Sequence, residues 1–466
     1  MMKHIVKVPS VGGRIAVKTL AKAVKLGLKH QLEHVWFSAR QEVLFELPHA
    51  AEAAEFTRAL SLMHIAVGLS DTRNVVTSLP ANDIFPKRSW LHSGNYTEIV
   101  QSFQHKPRLT VAIVDPRQDF VPIMDSELNF IAAEKEDFWY LYLCLGDAGK
   151  SPFIWPDLID SKSIADVSAC IEAQLALGKT ELELVELLAD NSDFHTAPYD
   201  FIPAPIQQNH PQYDGFFRVG EVYWLGIYNV GQRMPLLKLE HLLNVCQSQN
   251  INYIDLSTWG SLLIKDLKRT AVDEWNRYLG LNNLNIGPAY HELNWKLDPF
   301  NLEHHALKVK VNEALQKAGL RTWGLSLGVA SETRRIRPSI LIRVHPKKLF
   351  GRQRYDLYHA KHFNPVNGEY VLFDGHMVQQ DLISNLKGLI SQYQRRMRIK
   401  VEPIQALRRP EKNKTIIYEC QVCLTQYAPD WGDPEHGVAA GTAFADLPST
   451  YCCPVCESSQ AVFAVK

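Results

Sequence analysis

Along the first 80 residues the spacing of apolar positions switches between two periods. Leu20, Ala23, Val24 and Leu28 return every three to four residues, which predicts a helix. "VWFSARQEVLFEL" (35–47) is dense in apolar and aromatic residues and predicts one strand. "AAEAAEFTRALSLMH" (50–64) is rich in helix formers and predicts a second helix, and "NVVTSL" (74–79) lies in a further strand. A short strand leads into the first helix, so the order is strand, helix, strand, helix. That order predicts sheets covered by helices, an α/β or α+β fold. More strands are expected at "PRLTVAIVD" (107–115), "FWYLYLCLG" (138–146), "SILIRVH" (339–345) and "EYVLFD" (369–374).

The pattern then repeats. "GRIAVKTLAKAV" (13–24) sits over "QRMPLLKLEHLL" (232–243), and 35–47 over "IDLSTWGSLLIKD" (254–266). One offset, 219, serves both without a gap and pairs Arg14 with Arg233, Leu20 with Leu239, Ser38 with Ser257, Leu44 with Leu263 and Gly68 with Gly287. A constant offset over this span is read as a duplicated domain. Two proline-bearing polar stretches, "HTAPYDFIPAPIQQNHPQYDG" (195–215) and "VEPIQALRRPEKNKT" (401–415), read as linkers. The expected parts are therefore 1–195, 213–400 and 416–466.

Composition adds limits. Of the 466 residues, 46% are apolar and 21% charged, enough for sizeable cores, and the formal net charge is zero. A neutral chain argues against general nucleic-acid binding. No secretory leader and no membrane-spanning apolar run is recognised, so a cytoplasmic protein without membrane partners is expected. Cys144, Cys170 and Cys246 lie far apart and read as buried thiols.

The other five of the eight cysteines crowd into residues 420–456. Cys420-x-x-Cys423 and Cys453-Pro-Val-Cys456 are two CxxC pairs. Two such turns facing each other supply a tetrahedral four-sulfur shell, suited to zinc or a single iron. Between and around them stand Tyr418, Tyr427, Pro429, Gly432-Asp433-Pro434, Gly437, Gly441-Thr442, Phe444, Leu447-Pro448, Tyr451 and Phe463. In these positions the tail resembles rubredoxin over almost its whole length. The resemblance implies one iron held by Cys420, Cys423, Cys453 and Cys456, cycling between ferric and ferrous, with the aromatic residues as a dry core around it. The full ligand set leaves electron transfer as its chemistry. Two departures are plain. Rubredoxins usually carry glycine after each CxxC, where this chain has Leu424 and Glu457, and Cys452 is a spare thiol beside a ligand.

The body, too, has a resemblance. "GGRIAVKTLAKAVK", "FSARQEVLFELP" and "GLSDTRNVVTSLP", with "MPLLKLEHLL" and "LSTWGSLLIK" in the second half, resemble the ferredoxin-like half-domains of nitrite and sulfite reductases. That resemblance implies an α+β fold of duplicated half-domains, which in that family cradle siroheme beside a four-iron cluster. Three scattered cysteines do not supply such a cluster, so no four-iron cluster is expected and siroheme is not favoured. The family's siroheme arginines match Arg40 in "SARQ" and Arg73 in "TRNV". The run 332–354 carries Arg334, Arg335, Arg337, Arg343, Lys347, Lys348, Arg352 and Arg354. It reads as a solvated basic region, with docking of an acidic redox partner or of an anionic cofactor as alternatives. His304-His305, His359 and His362 read as bystanders rather than axial ligands, and Trp259 as a core or interface tryptophan rather than a pocket wall.

The expected function is one-electron transfer between redox partner proteins. The reductase-like body serves as docking scaffold, and the acceptor, by analogy alone, belongs to nitrate, nitrite or sulfite reduction. Two alternatives stay open: an oxidoreductase whose body binds a tetrapyrrole or other cofactor fed by the iron domain, and a protein with a structural zinc.

Overall fold

The computed structural model describes residues 4–68, 74–82, 84, 90–122, 124–145, 152–189, 194–199, 214–229, 232–284, 295–297, 301–322, 324–331, 336–346, 352–365, 368–400 and 416–465. The chain divides into two compact units, Met1–Tyr393 and Gln394–Lys466.

In the first unit, helix Val17–Lys29 buries Leu20, Ala23, Val24 and Gly27 along one stripe and places Lys29 in its last turn, where a cation suits the helix C-terminus. Residues 35–47 form two strands rather than the single one expected. His34–Phe37 and Glu42–Leu47 are joined by a turn that side chains enforce. The Ser38 hydroxyl accepts the backbone N–H groups of Arg40 and Glu42, at 3.1 and 3.2 Å, while buried Gln41 takes φ 56°. The other half repeats the device. Tyr253–Leu256 and Leu262–Leu267 flank a turn in which the Ser257 hydroxyl accepts from Trp259 and Ser261, and Gly260 has φ 73°.

A close approach ties each turn to the segment before the helix. A Cβ on Gly13 would lie 2.7 Å from Gln41 Nε2, and one on Gly260 would lie 2.7 Å from Gln232 Cγ. Gly13 faces Gln41 in one half and Gln232 faces Gly260 in the other, the same two positions at offset 219 with glycine and glutamine exchanged.

The sheets cross between the halves. The first runs His4–Pro9, Glu42–Leu47, His34–Phe37, Arg233–Pro235; the second runs Gly215–Val219, Val222–Ile227, Leu262–Leu267, Tyr253–Leu256, Arg14–Ala16. Each half thus gives one short strand to the other's sheet, with Arg233 opposite Trp36 and Arg14 opposite Asp255. Helices Val17–Lys29 and Leu236–Ser248 share a single core with Phe37, Phe45, Leu256 and Trp275.

Two further sheets follow. One orders Thr196–Pro198, Asp157–Asp160, Phe138–Leu143, Leu128–Ala132, Val111–Val114, Val76–Thr77, with Phe153–Ile154 added to Phe138–Leu143. The other orders Trp295–Lys296, Leu327–Ala330, Ile340–Val344, Tyr355–Ala360, Tyr370–Met377. In both, the first three strands in sequence pair parallel and the later ones antiparallel. Helices Ser93–Ser102 and Ile164–Ala176 cover the former, and Leu302–Lys317 and Gln379–Lys400 the latter; the sequence reading had strands here and none of these helices. The stretch read as the first linker begins with the edge strand Thr196–Pro198, while 200–213 and the second linker, 401–415, lie outside the described residues. Among the described residues no helix is long and apolar enough to cross a membrane.

In the second unit Tyr418–Cys420 pairs with Gln426–Tyr427 on one side and Phe463–Val465 on the other. Its core is Tyr427, Val438, Leu447 and Tyr451, with Tyr418, Phe444 and Phe463 against it. The Tyr418 and Phe444 rings stack with centroids 4.0 Å apart.

Candidate metal centre

Each CxxC pair folds into a backbone turn that aims both sulfurs one way. In the first, the Leu424 N–H donates to Cys420 O and the Cys420 N–H to Thr425 O, both at 2.8 Å. In the second, Glu457 N–H donates to Cys453 O and Cys453 N–H to Ser458 O, again at 2.8 Å. The residue after each pair must turn left-handed, and Leu424 (φ 63°) and Glu457 (φ 57°) do so without glycine's freedom. A side chain in that conformation costs on the order of 1 kcal/mol.

The four sulfurs converge. Cys420 Sγ lies 3.6 Å from Cys456 Sγ and Cys423 Sγ lies 3.4 Å from Cys453 Sγ. All four fall within 4.8 Å of one another. A metal bound to four thiolates at about 2.3 Å sets neighbouring sulfurs about 3.8 Å apart, so the cage fits one tetrahedral ion. Cys420 and Cys453 are buried, while Cys423 and Cys456 are half-buried. Exposed Val422, Leu424 and Val455 flank the two outer cysteines.

Two hydroxyls sit against those outer sulfurs. Thr425 Oγ1 is 3.1 Å from Cys423 Sγ, and Ser458 Oγ is 3.2 Å from Cys456 Sγ. Toward thiolates, each hydroxyl is the donor. Ser458, through its hydroxyl and backbone, brings the Cys456 thiol down to about 6, whereas burial pushes Cys453 up to about 12. Behind the cage the Tyr451 hydroxyl donates to Asp433 Oδ2 at 3.0 Å and the Tyr427 hydroxyl to Thr442 O at 2.7 Å, so these two phenols are satisfied. Cys452 is exposed and stands outside the cage.

The body's thiols do not meet. Cys246 lies in the core shared by the two halves, Cys144 on the opposite face of the sheet that carries Phe138–Leu143, and Cys170 beside a third cluster. Arg40 donates through Nε and Nη2 to Asn74 O, through Nη2 to Val111 O and through Nη1 to Ser126 Oγ, so its guanidinium braces three segments of the protein itself. Arg73, with Arg334, Arg335, Lys347 and Lys348 of the basic run, lies outside the described residues. Of the rest of that run, Arg337 is buried and Arg352 exposed, so the described arginines do not make one solvated face. His304 is buried beside Ser331 Oγ, His359 stacks on Phe363, and Trp259 packs with Phe120, Trp224, Tyr228 and Leu263 in a core cluster. The sequence reading missed the sulfur-facing hydroxyls, for which position two after each CxxC pair was the only signal.

A closed four-thiolate cage on a three-stranded sheet with an aromatic core defines a mononuclear metal–thiolate domain. Comparison with known proteins gives its family. The rubredoxin family profile matches residues 417–463. Rubredoxin-2 of Chlorobaculum tepidum is 41% identical over 46 residues, 10% of this chain and 88% of its own length. The chain belongs to the rubredoxin family through this C-terminal domain. A high molecular weight rubredoxin of Moorella thermoacetica is 47% identical over 57 residues, which are 11% of this chain and 25% of that protein. A rubredoxin of Trichormus variabilis is 43% identical over 47 residues, with 42% of its length covered. The chain thus spans less than half the length of these last two relatives. The body has its own likeness in the structure of the Mycobacterium tuberculosis NirA protein, at TM-score 0.65 and 13% identity, covering 84% of this chain and 80% of that one. At that identity the likeness is one of fold, a nitrite/sulfite reductase-like scaffold.

Proposed function

We propose that this protein is a one-electron carrier whose cage holds iron, and whose reductase-like body docks it to a donor and an acceptor reductase. The observation that carries this is the cage: four thiolates complete the coordination shell, and the half-buried Cys423 and Cys456 bring the metal near the surface. Iron bound there supplies a ferric/ferrous couple. The chain's residues do the rest: thiolates fix the ion, the aromatic core excludes water, and the apolar rim of Val422, Leu424 and Val455 offers a contact from which water is readily expelled.

The body is read as a duplicated unit, supported by the strand exchange and the Gly13–Gln41 and Gln232–Gly260 pairs at one offset. The placement of Arg40 argues against siroheme there, and the acceptor is assigned to nitrate, nitrite or sulfite reduction from the fold likeness alone. The location is taken as cytoplasmic.

The test is an absorbance spectrum before and after dithionite, with metal analysis of the same sample. A red protein with about one iron per chain that bleaches on reduction supports the carrier. An added intense violet band would replace it with a tetrapyrrole oxidoreductase. A colourless zinc protein from iron-replete cells would overturn both.

A further inference from the structure

The sheet that ends in Tyr370–Met377 shifts register at two adjacent places, between Tyr355 and Leu357 and between Leu357 and Tyr358. Tyr355 pairs with Met377 but Leu357 with Asp374, so one extra residue is accommodated opposite Asp356. The bulge is Gly375-His376, and His376 takes φ 55°. It is pinned from several sides. The His376 N–H donates to Asp356 Oδ1 at 2.8 Å and the Gly375 N–H to Asp374 Oδ1 at 2.8 Å. Asn385 Nδ2 donates to Asp374 Oδ2 at 2.6 Å, and Arg354 Nη1 to His376 O at 3.2 Å.

This bulge brings a second imidazole to a buried carboxylate. Ile340, Ile342, Val344, Tyr355 and Leu357 face the helices, so alternation puts His345 and Asp356 on the sheet's other face. Asp356 is only 6% exposed, and its Oδ1 accepts from His345 Nε2 at 2.8 Å. Among the described residues no donor reaches its Oδ2, and neither ring nitrogen of His376 has a hydrogen-bond partner. The His345 and His376 rings lie 4.7 Å apart, centroid to centroid. One ligand atom from each of the three side chains falls within 4.8 Å of the others.

We propose that His345, Asp356 and His376 form a second metal site, taking one divalent first-row transition ion through two imidazoles and one carboxylate. Metal–ligand lengths of about 2.1 Å put adjacent donor atoms about 3.0–3.4 Å apart, so a modest rotation of the exposed His376 ring closes the set. A histidine–aspartate hydrogen bond alone needs neither the bulge nor a non-glycine residue in left-handed backbone. The bulge is what delivers the third ligand. Arg343 pairs with Asp356 in register, and the Nε atoms of Arg343 and Arg354 are buried without an acceptor. These cations disfavour magnesium or calcium, which oxygen ligands hold mainly by charge, and leave ions with a strong affinity for imidazole. Three protein ligands leave open positions on the ion.

The inference is independent of the electron-carrier reading. The experiment uses the full chain with its cysteine cage already filled. The protein is dialysed against excess zinc, passed over a desalting column, and assayed for metal and by isothermal titration. Zinc X-ray absorption is recorded on the iron-loaded sample, where the cage contributes no zinc signal. The expected result is one further zinc per chain in a nitrogen/oxygen shell, with at least tenfold weaker binding in His376→Asn and in His345→Ala. Asparagine tolerates the left-handed backbone, and unchanged melting of the metal-free body shows that both variants fold. No further zinc in the wild type would overturn the site. So would a further zinc that both variants bind equally, or one in a sulfur shell.

Discussion

At the residue scale, the two hydroxyls at the outer sulfurs tune the centre. A donor to a thiolate stabilises the more electron-rich, reduced state. Ser458→Ala and Thr425→Val each remove one such donor, at 3.2 and 3.1 Å, while the four cysteines stay. Each variant is expected to keep its metal and to lower the reduction potential by on the order of tens of millivolts, read by redox titration. Leu424 offers a second test. Its side chain is 66% exposed and its backbone left-handed, so Leu424→Gly relieves strain without emptying a core. About 1 kcal/mol of added stability is expected for the small unit in thermal melting of the iron form. The cage itself was legible in the sequence, because four cysteines in two CxxC pairs have few other uses. The hydroxyls were not, because a threonine two positions after a cysteine gains meaning only once its distance to sulfur is known.

At the scale of elements, the crossing of the halves is held by a buried charge cluster. Asp255, on a strand of the second half, accepts from Arg14 Nε at Oδ1 (2.8 Å) and from Arg14 Nη2 at Oδ2 (3.0 Å), and Lys265 Nζ lies 2.8 Å from that same Oδ2. Burial pushes this carboxyl up, but Lys265 and Arg14 prevail and hold it below the usual range. A depressed folded value means its stabilisation is complete above the unfolded value of about 4 and is lost as pH falls through the folded one. Asp255→Asn removes the buried carboxylate that Arg14 and Lys265 both face. It is expected to cost about 3 kcal/mol at pH 7 and to flatten the acid limb of stability, measured by denaturant melts from pH 7 down to pH 3. Gly13→Ala belongs to the same scale: at φ 90° and 2.7 Å from both Gln41 Nε2 and Pro80 Cγ, its methyl group displaces the turn that Gln41 anchors. A loss of about 2 kcal/mol or more is expected in the same melts. The sequence carried the offset that links these elements, but residues 35–47 were read as one strand. Periodicity cannot reveal a turn whose cause is a serine hydroxyl catching two backbone N–H groups. The helices over the outer sheets were missed for another reason: Leu302–Lys317 buries His304, Lys308 and Asn312 along with its leucines, which blurs the apolar stripe.

At the scale of the whole molecule, the two units rest on different physics. The body has several apolar cores built from side chains alone, whereas the small unit has one aromatic cluster and its four thiolates. Removing the metal with acid and a strong chelator is expected to unfold residues 416–465 and leave the body's transition within a few degrees of its starting temperature. Calorimetry of the holo and metal-free chains reads both. The strand exchange has a further consequence, which concerns time rather than energy. Residues 4–47 leave the ribosome long before residues 233–235, yet the sheet they build stays open on one edge until Arg233–Pro235 arrives. Arg14–Ala16 must in turn wait for Tyr253–Leu256. The amino-terminal half is therefore held unfinished through the synthesis of roughly 200 residues, about 10–40 seconds at ordinary elongation rates. A chain cut short before residue 233 would present an apolar edge to whatever strand it met first.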